Sequence, residues 1–345
     1  MSRGAPRDPR PSSGGPGQRP GRAPGQGPGR PQGQGPGAAR GSGAAAGPDR
    51  DPRRAAREAR EARHAIPDAP HAEAPARPKH RARKRFGQHF LEAAWADKLV
   101  GSLGVAPGDV FVEIGPGLGA LTRPLAATGA AIHAIEVDRD LAAALAEWAP
   151  PNLMLVEGDF LALDDAGVLP PGDGPVRVVG NLPYNLSSPI LFRILALARA
   201  TGRVRDAVVM LQREVADRVV AGPGNGDYGP LAVMLGLFAD RTRVLSLPPG
   251  AFRPPPKVHS AVVRLVFRPP PVPVARFEAV DRLVRTAFQQ RRKTLMNALR
   301  PLHDGAIDLA PVLAGIGIDH MRRPETLTPA EFVHLTDTLI QLSVL

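Results

Sequence analysis

The sequence predicts an α/β fold in which a doubly wound, mostly parallel sheet is followed by a small all-helical part. Two observations support this prediction. Short apolar segments alternate with helical segments over about 92–267, and a Pro-rich stretch at 268–275 is followed only by helical patterns. Strands that alternate with helices are typical of parallel sheets, because parallel neighbours need a long crossover connection.

Each predicted strand is a short run rich in β-branched and other apolar residues, and each predicted helix shows apolar residues at three- and four-residue spacing. The predicted strands are 110–114, 131–135, 153–156, 176–179, 207–211 and 258–267. The predicted helices of the sheet region are about 92–104, 118–127, 139–148, 190–200, 213–221 and 231–238. Asp138 precedes the third of them as its N-cap. Three amphipathic helices are expected at 276–300, 308–315 and 329–343.

These patterns divide the chain into four parts. Residues 1–80 form a Gly/Pro/Arg-rich tail that has almost no apolar surface to bury, so we expect it to be disordered. Residues 81–267 form the sheet domain, 268–275 a stiff linker and 276–345 a helical C-terminal domain. The tail is interpreted either as a solubilising extension or as an arm that binds nucleic-acid phosphates.

Composition excludes several classes of protein. The chain has no cysteine, so disulfides, thiolate zinc sites and cysteine nucleophiles are excluded. It has no apolar run of about 18 residues and no apolar N-terminal stretch, so we expect neither a membrane span nor a secretory signal. These features favour a cytoplasmic protein, and we expect a monomer without a metal site.

The formal net charge of +11 is a property of the N-terminal part. Residues 1–85 hold 19 Lys+Arg and 7 Asp+Glu, whereas 86–345 hold 25 and 26. A folded part that is close to neutral must bind nucleic acid, if it does so, through local basic clusters.

A glycine-rich turn and a carboxylate follow the first two predicted strands. Gly115 and Gly117 come directly after 110–114, and Glu136 ends the next strand. Glycines allow a ligand to approach the backbone, and a carboxylate at this point can accept both hydroxyls of a ribose. The pattern indicates a nucleoside cofactor without choosing it, because Gly115, Gly117 and Ala120 also fit the dinucleotide fingerprint of nicotinamide enzymes.

Asp159 and Phe160 follow the third strand. If the protein is a methyltransferase, Asp159 accepts the exocyclic amine of the cofactor adenine and Phe160 lies beside that ring. The alternative is that Asp159 only caps a turn, since Gly-Asp is common in loops.

Asn181-Leu182-Pro183-Tyr184 follows the fourth strand and is the most informative motif. An amine on an aromatic ring is a poor nucleophile because its lone pair is delocalised. The Asn181 side-chain oxygen and the Leu182 or Pro183 carbonyl can accept the amine hydrogens and free the lone pair. Pro183 stiffens the loop, and Tyr184 offers a face on which a flipped-out base can stack. The motif indicates methylation of a base amine.

Six segments resemble motifs of the rRNA adenine dimethyltransferases, and the similarity is greatest to the bacterial KsgA/RsmA type. They are KRFGQHFL (84–91), VEIGPGLGALT (112–122), NLPYNLSSPI (181–190), LQREVADRVVAGPG (211–224), FRPPPKVHSAVVRL (252–265) and FQQRRKTLMNAL (288–299). The resemblance implies a Rossmann-like class I methyltransferase sheet and S-adenosyl-L-methionine as cofactor. It also implies dimethylation of N6 on two adjacent adenosines in the 3′-terminal hairpin of 16S rRNA, with a role in small-subunit biogenesis.

The resemblance also implies site residues. A cofactor site is expected from His89, Leu91, Gly115, Glu136, Asp159 and Asn181, with Gly117 and Phe160 added from the residue patterns above. A target-base site is expected from Asn181, Leu182, Pro183, Tyr184 and Phe252. Phe252 precedes three prolines and would stack on the base opposite Tyr184, with burial in the core as the alternative. The family often has Asn at the position of His89, which could instead be a structural histidine.

RNA within the immature small ribosomal subunit is the expected partner. The expected docking residues are Arg83, Lys84 and Arg85 near the cofactor entrance and Arg291, Arg292 and Lys293 in the helical part, and Arg322 with Arg323 could join them. RNA hairpins are bound through phosphates, shape and unstacked bases, which suits scattered clusters on a near-neutral domain. Solvated surface charge is the alternative for each cluster.

Three other functions remain open at this point. A macrolide-resistance type 23S rRNA adenine N6-methyltransferase would share the fold and the chemistry. A nicotinamide dehydrogenase would need a catalytic acid or base and has no use for the motif at 181–184. A non-catalytic ribosome-assembly factor could share the fold, but the intact Glu136 and Asp159 favour an active enzyme.

Overall fold

The computed structural model describes residues 89–303 and 307–345 of the 345-residue chain. The prediction for the tail at 1–80 and the basic residues Arg83, Lys84 and Arg85 lie outside these ranges. The described residues all fall in one compact unit. None of the helices within them combines the length and the apolar character needed to cross a bilayer.

The centre of the molecule is a seven-stranded sheet, beside which a two-residue pair of strands forms a separate small sheet. The strands are β1 (Phe90–Leu91), β2 (Val110–Ile114), β3 (Ala131–Glu136), β4 (Leu153–Glu157), β5 (Val176–Asn181), β6 (Val204–Gln212), β7 (Ala239–Leu247), β8 (Phe252–Arg253) and β9 (Ser260–Phe267). The large sheet has the order β4-β3-β2-β5-β6-β9-β7. Its first five strands are parallel, β9 runs antiparallel to β6, and β7 pairs antiparallel with β9 and so runs in the direction of the first five. β1 and β8 pair antiparallel with each other.

Helices cover the sheet and continue beyond it. They are α1 (Ala93–Ser102), α2 (Thr122–Ala127), α3 (Arg139–Ala146), α4 (Asp165–Val168), α5 (Ser187–Thr201), α6 (Arg213–Val220), α7 (Pro230–Phe238), α8 (Phe277–Gln289), α9 (Leu295–Leu299), α10 (Leu309–Gly315) and α11 (Pro329–Gln341). The predicted N-cap of α3 is confirmed, because the Asp138 side chain accepts the Asp140 N–H. At the start of α11, Thr328 and Glu331 cap each other's backbone in a capping box.

The strand order reverses between β2 and β5, and this reversal positions the site. At such a switch point the connections leave in opposite directions, so a crevice opens beyond the carboxyl ends of the two strands. The strands lie very close there: a Cβ on Gly180 would be 2.7 Å from the Ile114 carbonyl oxygen. Glycine is therefore required at position 180, directly before the motif at 181–184.

The predicted strands are confirmed to within about three residues at each end, but two predicted helices need correction. The helix expected at 118–127 begins only at Thr122, because Gly119 has a φ of +81°, outside the helical region. The helix expected at 276–300 is two helices, α8 and α9, separated by a turn. The Leu295 N–H donates to the Arg322 carbonyl, so a tertiary hydrogen bond replaces the helical one.

The sequence pattern predicts no strand at β7, and the composition of this segment explains why. Asp240, Arg241 and Arg243 interrupt any apolar alternation. β7 is an edge strand that pairs only with β9, and charged residues are common on edge strands because they oppose pairing with other chains. The strand therefore depends on pairing with β9 and on contacts with α6 and α7, which the local sequence pattern does not show.

The core of the sheet region continues into the C-terminal helices. α7 is apolar on all sides because it packs against α5 and α6 as well as against α8 and α11. Its buried side chains share one cluster with Leu283 and Val284 of α8 and Phe332 of α11. The division into an 81–267 domain and a 276–345 domain stays a prediction, since one continuous core joins the two parts.

A buried ion network lies at the opposite end of the sheet from the crevice. Arg177 of β5, whose side chain is 2% exposed, pairs with Asp109 at 2.9 Å and with Asp206 at 2.8 Å. It also donates to the Leu103 carbonyl beyond the end of α1. Arg205 pairs with Asp109 from the surface at 3.0 Å. The network ties α1, β2, β5 and β6 together.

We expect Arg177→Met to lower the free energy of unfolding by about 3–5 kcal/mol, because it leaves the buried carboxylates of Asp109 and Asp206 with only the partly exposed Arg205 and Arg264 as cations. Arg205→Gln removes a half-exposed partner of the same network and should cost less than about 1 kcal/mol. Denaturant unfolding of both variants measures the difference. Equal losses in the two variants would show that burial does not decide the strength of this network.

Candidate active site

A cavity lies at the carboxyl ends of β2, β3 and β5, where the predicted residues were expected to meet. β1 and the residue before it cover one side, and the loop after β5 forms another. The predicted site residues that line this cavity are His89, Leu91, Gly115, Gly117, Glu136, Asn181, Leu182, Pro183 and Tyr184. The structure therefore brings nine of the predicted residues together around one space.

The glycine-rich turn takes a conformation that only glycine adopts readily. Gly115 and Gly117 have φ angles of +65° and +59°. The Gly117 N–H donates to a Glu136 carboxylate oxygen at 2.9 Å, so the turn after β2 is held by the end of β3. A Cβ on Gly117 would also meet the Phe90 ring at 3.4 Å. The turn keeps its backbone open to a ligand.

Glu136 is buried and fixed from two sides. Besides the bond from Gly117, its other oxygen accepts the Asp138 N–H at 2.9 Å. Burial raises the pKa of Glu136, and these two N–H groups oppose that rise. A carboxylate has about four acceptor positions, so room remains for a ribose hydroxyl beside the N–H groups of Gly117, Asp138 and Val137.

We expect Glu136→Ala to weaken the binding of S-adenosyl-L-methionine by at least about 1.5 kcal/mol, because charge-assisted hydrogen bonds are lost. Glu147→Ala removes an exposed carboxylate just beyond α3 and serves as the matched control. Calorimetric titration gives both affinities. Unchanged affinity in Glu136→Ala would disprove the ribose assignment.

Glu113 is a site residue that the sequence prediction missed. It lies in β2, is 1% exposed and lines the same cavity as Glu136. One of its oxygens has no hydrogen-bond partner among the described residues. Burial raises the pKa of Glu113 to about 8, the charge of Glu136 acts in the same direction, and Thr122 lowers it. The signal was present in the sequence, because a charge inside an apolar strand needs an explanation.

These two carboxyl groups test whether the cavity suits S-adenosyl-L-methionine. The cofactor carries a sulfonium and an ammonium group, and an orphaned, buried carboxyl oxygen suits such a cation. Glu136 suits the ribose, and the open glycine turn allows close approach. The residues present therefore fit the cofactor that the sequence predicts.

The orientation of the Asn181 amide is set by a backbone carbonyl. Its Nδ2 donates to the His89 carbonyl at 2.8 Å, so the side-chain oxygen is left as an acceptor on the other side. The Pro183 carbonyl already accepts the Leu186 N–H at 3.0 Å and the Ser187 hydroxyl at 3.1 Å. No described residue donates to the Leu182 carbonyl. Of the two carbonyls left open by the sequence, Leu182 is therefore the better second acceptor.

Tyr184 is held by its hydroxyl and by one face. The hydroxyl lies 2.8 Å from the Ser260 hydroxyl, and the ring stacks on the His89 imidazole with a centroid distance of 5.5 Å and an interplanar angle of 25°. Burial raises the pKa of Tyr184, with the Ser260 bond acting against it. The ring is thus a fixed neutral surface at the mouth of the cavity.

The placement of Phe252 requires a correction. In the small sheet, Phe252 pairs with Leu91, and its side chain is fully buried with Ala251 and Val262. It does not line the cavity and offers no face to a base here. Phe252 is thus a core residue, which was the alternative interpretation of the sequence. The register of β8 directs its side chain into the core.

Asp159 and Phe160 also lie away from the cavity lining. The exposed Asp159 side chain accepts the Leu161 N–H at 2.9 Å, as a turn cap does. Phe160 is 4% exposed and belongs to the hydrophobic core, so its ring does not line the cavity, and its place beside the cofactor adenine stays a prediction. Recognition of the cofactor adenine by Asp159 stays a prediction.

The basic clusters of the C-terminal part contain both ion-paired and unpaired, solvent-exposed side chains. Arg291 pairs with Glu325 at 2.7 Å, and Arg322 pairs with Glu331. Their neighbours Arg292, Lys293 and Arg323 are exposed, and none of the three forms an ion pair with a described residue. Arg291 and Arg322 are thus each paired with a carboxylate, whereas the other three cations face solvent, and RNA binding by these clusters stays a prediction. Within the described ranges, no group of three His, Asp or Glu side chains could hold a metal ion.

Comparison with known proteins agrees with the geometry. Residues 79–341 match the family model described as ribosomal RNA adenine dimethylase. The ribosomal RNA small subunit methyltransferase A of Laribacter hongkongensis is 48% identical over 262 residues, covering 75% of this chain and 96% of the relative. The protein of the same name from Acinetobacter baylyi is 48% identical over 266 residues, covering 76% and 93%.

Two solved structures share the fold. A dimethyladenosine transferase from Plasmodium falciparum has a TM-score of 0.60 at 24% identity, covering 74% of this chain and 98% of that one. The 23S rRNA methyltransferase ErmE has a TM-score of 0.54 at 26% identity, covering 73% and 100%. The predicted class I methyltransferase sheet is confirmed, and the nicotinamide alternative is wrong. Since the family model and these relatives cover most of the chain, the chain belongs to the ribosomal RNA adenine dimethylase family and is an S-adenosyl-L-methionine-dependent methyltransferase.

Proposed function

We propose that this enzyme dimethylates N6 of two adjacent adenosines in the 3′-terminal hairpin of small-subunit rRNA, acting on the immature small subunit in the cytoplasm. The observation that carries the proposal is the Asn181 amide. Its nitrogen is engaged by the His89 carbonyl, so its oxygen is the group left to face an amine. The relatives that match nearly their full length are named as small-subunit methyltransferases, which supports this choice of substrate.

Two hydrogen-bond acceptors and one aromatic ring account for methylation of the adenine amine. The Asn181 oxygen and the Leu182 carbonyl accept the two hydrogens of the adenine amine and draw its lone pair out of conjugation. The fixed ring of Tyr184 holds the flipped base by stacking. When bound, S-adenosyl-L-methionine supplies a methyl group activated by a sulfonium. Transfer moves the positive charge to the amine nitrogen, which becomes strongly acidic and releases a proton to water, so the site needs no strong general base.

Incubation with labelled S-adenosyl-L-methionine and immature small subunits, followed by nucleoside analysis, tests the proposal. The expected product is N6,N6-dimethyladenosine, since the monomethyl amine keeps a lone pair and one hydrogen for a second transfer. N1-methyladenosine or a methylated ribose would contradict the mechanism. Large subunits incubated in parallel test the macrolide-resistance alternative, and label there alone would favour it. An unlabelled but bound small subunit would favour a non-catalytic assembly factor.

The open cations at the turn between α8 and α9 are the proposed RNA-docking residues. Arg292 and Lys293 are exposed there, and Arg300 lies nearby on the same surface. Arg323 is a further candidate, and Arg83, Lys84 and Arg85 remain proposed contacts outside the described residues. We propose that the enzyme docks as a monomer, so that one active site meets one hairpin.

We expect the double variant Arg292→Ala/Lys293→Ala to bind RNA about tenfold more weakly near physiological salt and to lower the salt-dependence slope by about 2, one for each lost phosphate contact. Arg276→Ala/Arg282→Ala removes two exposed cations, one just before α8 and one within it, and is the matched control. Binding measured over a salt series gives both slopes. Identical slopes for the two double variants would remove Arg292 and Lys293 from the docking surface.

A further inference from the structure

His89 forms two hydrogen bonds beside the cavity, one through its backbone carbonyl and one through its imidazole. Its backbone carbonyl accepts the Asn181 amide at 2.8 Å. Its imidazole Nδ1 lies 2.8 Å from the Pro254 carbonyl, which can only accept, so Nδ1 is the donor. The imidazole is therefore anchored to the loop after β8, and the register of β1 and β8 places it there.

The anchored imidazole covers one face of Tyr184. The two rings stack at a centroid distance of 5.5 Å. A base held between two rings needs roughly 7 Å between them, twice the carbon contact distance of about 3.5 Å. The space between His89 and Tyr184 is thus too narrow for an adenine while both rings keep their places.

The stacking contact matters because Tyr184 has little else to fix the orientation of its ring. Ser260 holds the hydroxyl end of the ring, but a single bond at one end leaves the ring free to tilt. The stacked imidazole removes that freedom. The aromatic partner expected opposite Tyr184 was Phe252, and that residue is fully buried.

We propose that the His89 imidazole is a positioning residue for the target base: it braces Tyr184 from behind, and the adenine stacks on the face of Tyr184 turned away from His89. The inference rests on the proposed function of the same site. It assigns the imidazole to the base side of the cavity, while the backbone of His89 remains part of the cavity lining and of the Asn181 contact.

Three variants separate the role of the aromatic ring of His89 from the role of its hydrogen bond to Pro254. His89→Ala removes both, His89→Asn keeps a hydrogen-bond donor without an aromatic ring, and His89→Phe keeps a ring without the donor. Each is titrated calorimetrically with S-adenosyl-L-methionine. Each is also titrated with a hairpin RNA that carries 2-aminopurine at the target position, whose fluorescence reports stacking. Thermal melting checks that every variant is folded.

We expect His89→Ala and His89→Asn to weaken base stacking and the single-turnover rate three- to tenfold, the range of an aromatic pair. His89→Phe should restore both to within about twofold, and cofactor affinity should stay within about threefold in all variants. Tenfold weaker cofactor binding with unchanged 2-aminopurine signal would overturn the proposal. So would equal base signals in the Ala and Phe variants. Failure of the unmodified enzyme to methylate the hairpin would instead contradict the proposed function.

Discussion

Replacing Asn181 with alanine is expected to lower the single-turnover rate of methyl transfer at least about 100-fold while changing RNA affinity less than about threefold. The amide oxygen is one of two acceptors that localise the amine lone pair, and it is already oriented in the free enzyme by the His89 carbonyl. Loss of a single preoriented polar group at a reacting centre costs about 10²–10³ in rate. The RNA is held mainly by phosphate contacts elsewhere, so its affinity should survive.

Two comparisons make this result specific. Asn225→Ala removes the same side chain from an exposed loop outside the cavity and should leave the rate near wild type. Tyr184→Phe keeps the ring face and should be mild, whereas Tyr184→Ala loses base stacking worth roughly 1–3 kcal/mol. Rapid-quench measurement at saturating RNA isolates the chemical step. A wild-type rate in Asn181→Ala would mean that the amine is activated by other groups.

The location of the site could be predicted from the sequence because sheet topology determines it. The carboxyl ends of parallel strands share one edge, so residues that follow different strands must meet there. Gly115, Glu136 and Asn181 each follow a strand that the apolar pattern made visible, and all three line the cavity. Long-range proximity was predicted here from purely local signals.

Residues in irregular segments could not be placed in this way. Phe252 lies in a two-residue strand, which is too short to show alternation, and its direction depends on pairing with Leu91 far away in sequence. Phe160 follows a strand but turns into the core, because the cap formed by Asp159 reverses the chain at that point. A predicted strand end locates the backbone but does not fix the direction of every side chain.

The separate roles of adjacent charged residues are also hard to predict from sequence. Arg291 and Arg292 are equivalent in the sequence, yet one pairs with Glu325 and the other faces solvent. The difference arises from the turn between α8 and α9, which interrupts the helix predicted at 276–300. Side-chain roles within a basic run therefore depend on tertiary contacts that the local pattern does not contain.

Binding of S-adenosyl-L-methionine is expected to release close to one proton at pH 7, and its affinity should rise up to about tenfold per pH unit as the pH approaches 8. In the unliganded enzyme, Glu113 is buried beside Glu136 and has a pKa of about 8, so it is mostly protonated at neutral pH. A cation bound in the same cavity stabilises the carboxylate and lowers that pKa. Binding therefore expels the proton, and well above pH 8 the side chain is already ionised in the free enzyme, so proton release fades.

The same shift gives an independent check on the unliganded protein. An unfolded chain loses this proton near the ordinary glutamate pKa of 4.5, whereas the folded chain holds it up to about pH 8. The stabilisation from the neutral carboxyl is complete below about pH 4.5 and is lost as the pH rises through 8. Glu113→Gln stays neutral and should lose less stability than the wild type between pH 6 and 9.

Calorimetry in two buffers of different ionisation enthalpy measures the proton count on cofactor binding. Glu113→Gln should bind with almost no proton release and with little pH dependence, because its side chain cannot ionise. Glu147→Gln, at an exposed position, should behave as the wild type. If Glu113→Gln still releases a proton, Glu136 or the pair as a whole is the titrating group. If the wild type releases none, Glu113 keeps its proton in the complex and acts as a neutral hydrogen-bonding group instead.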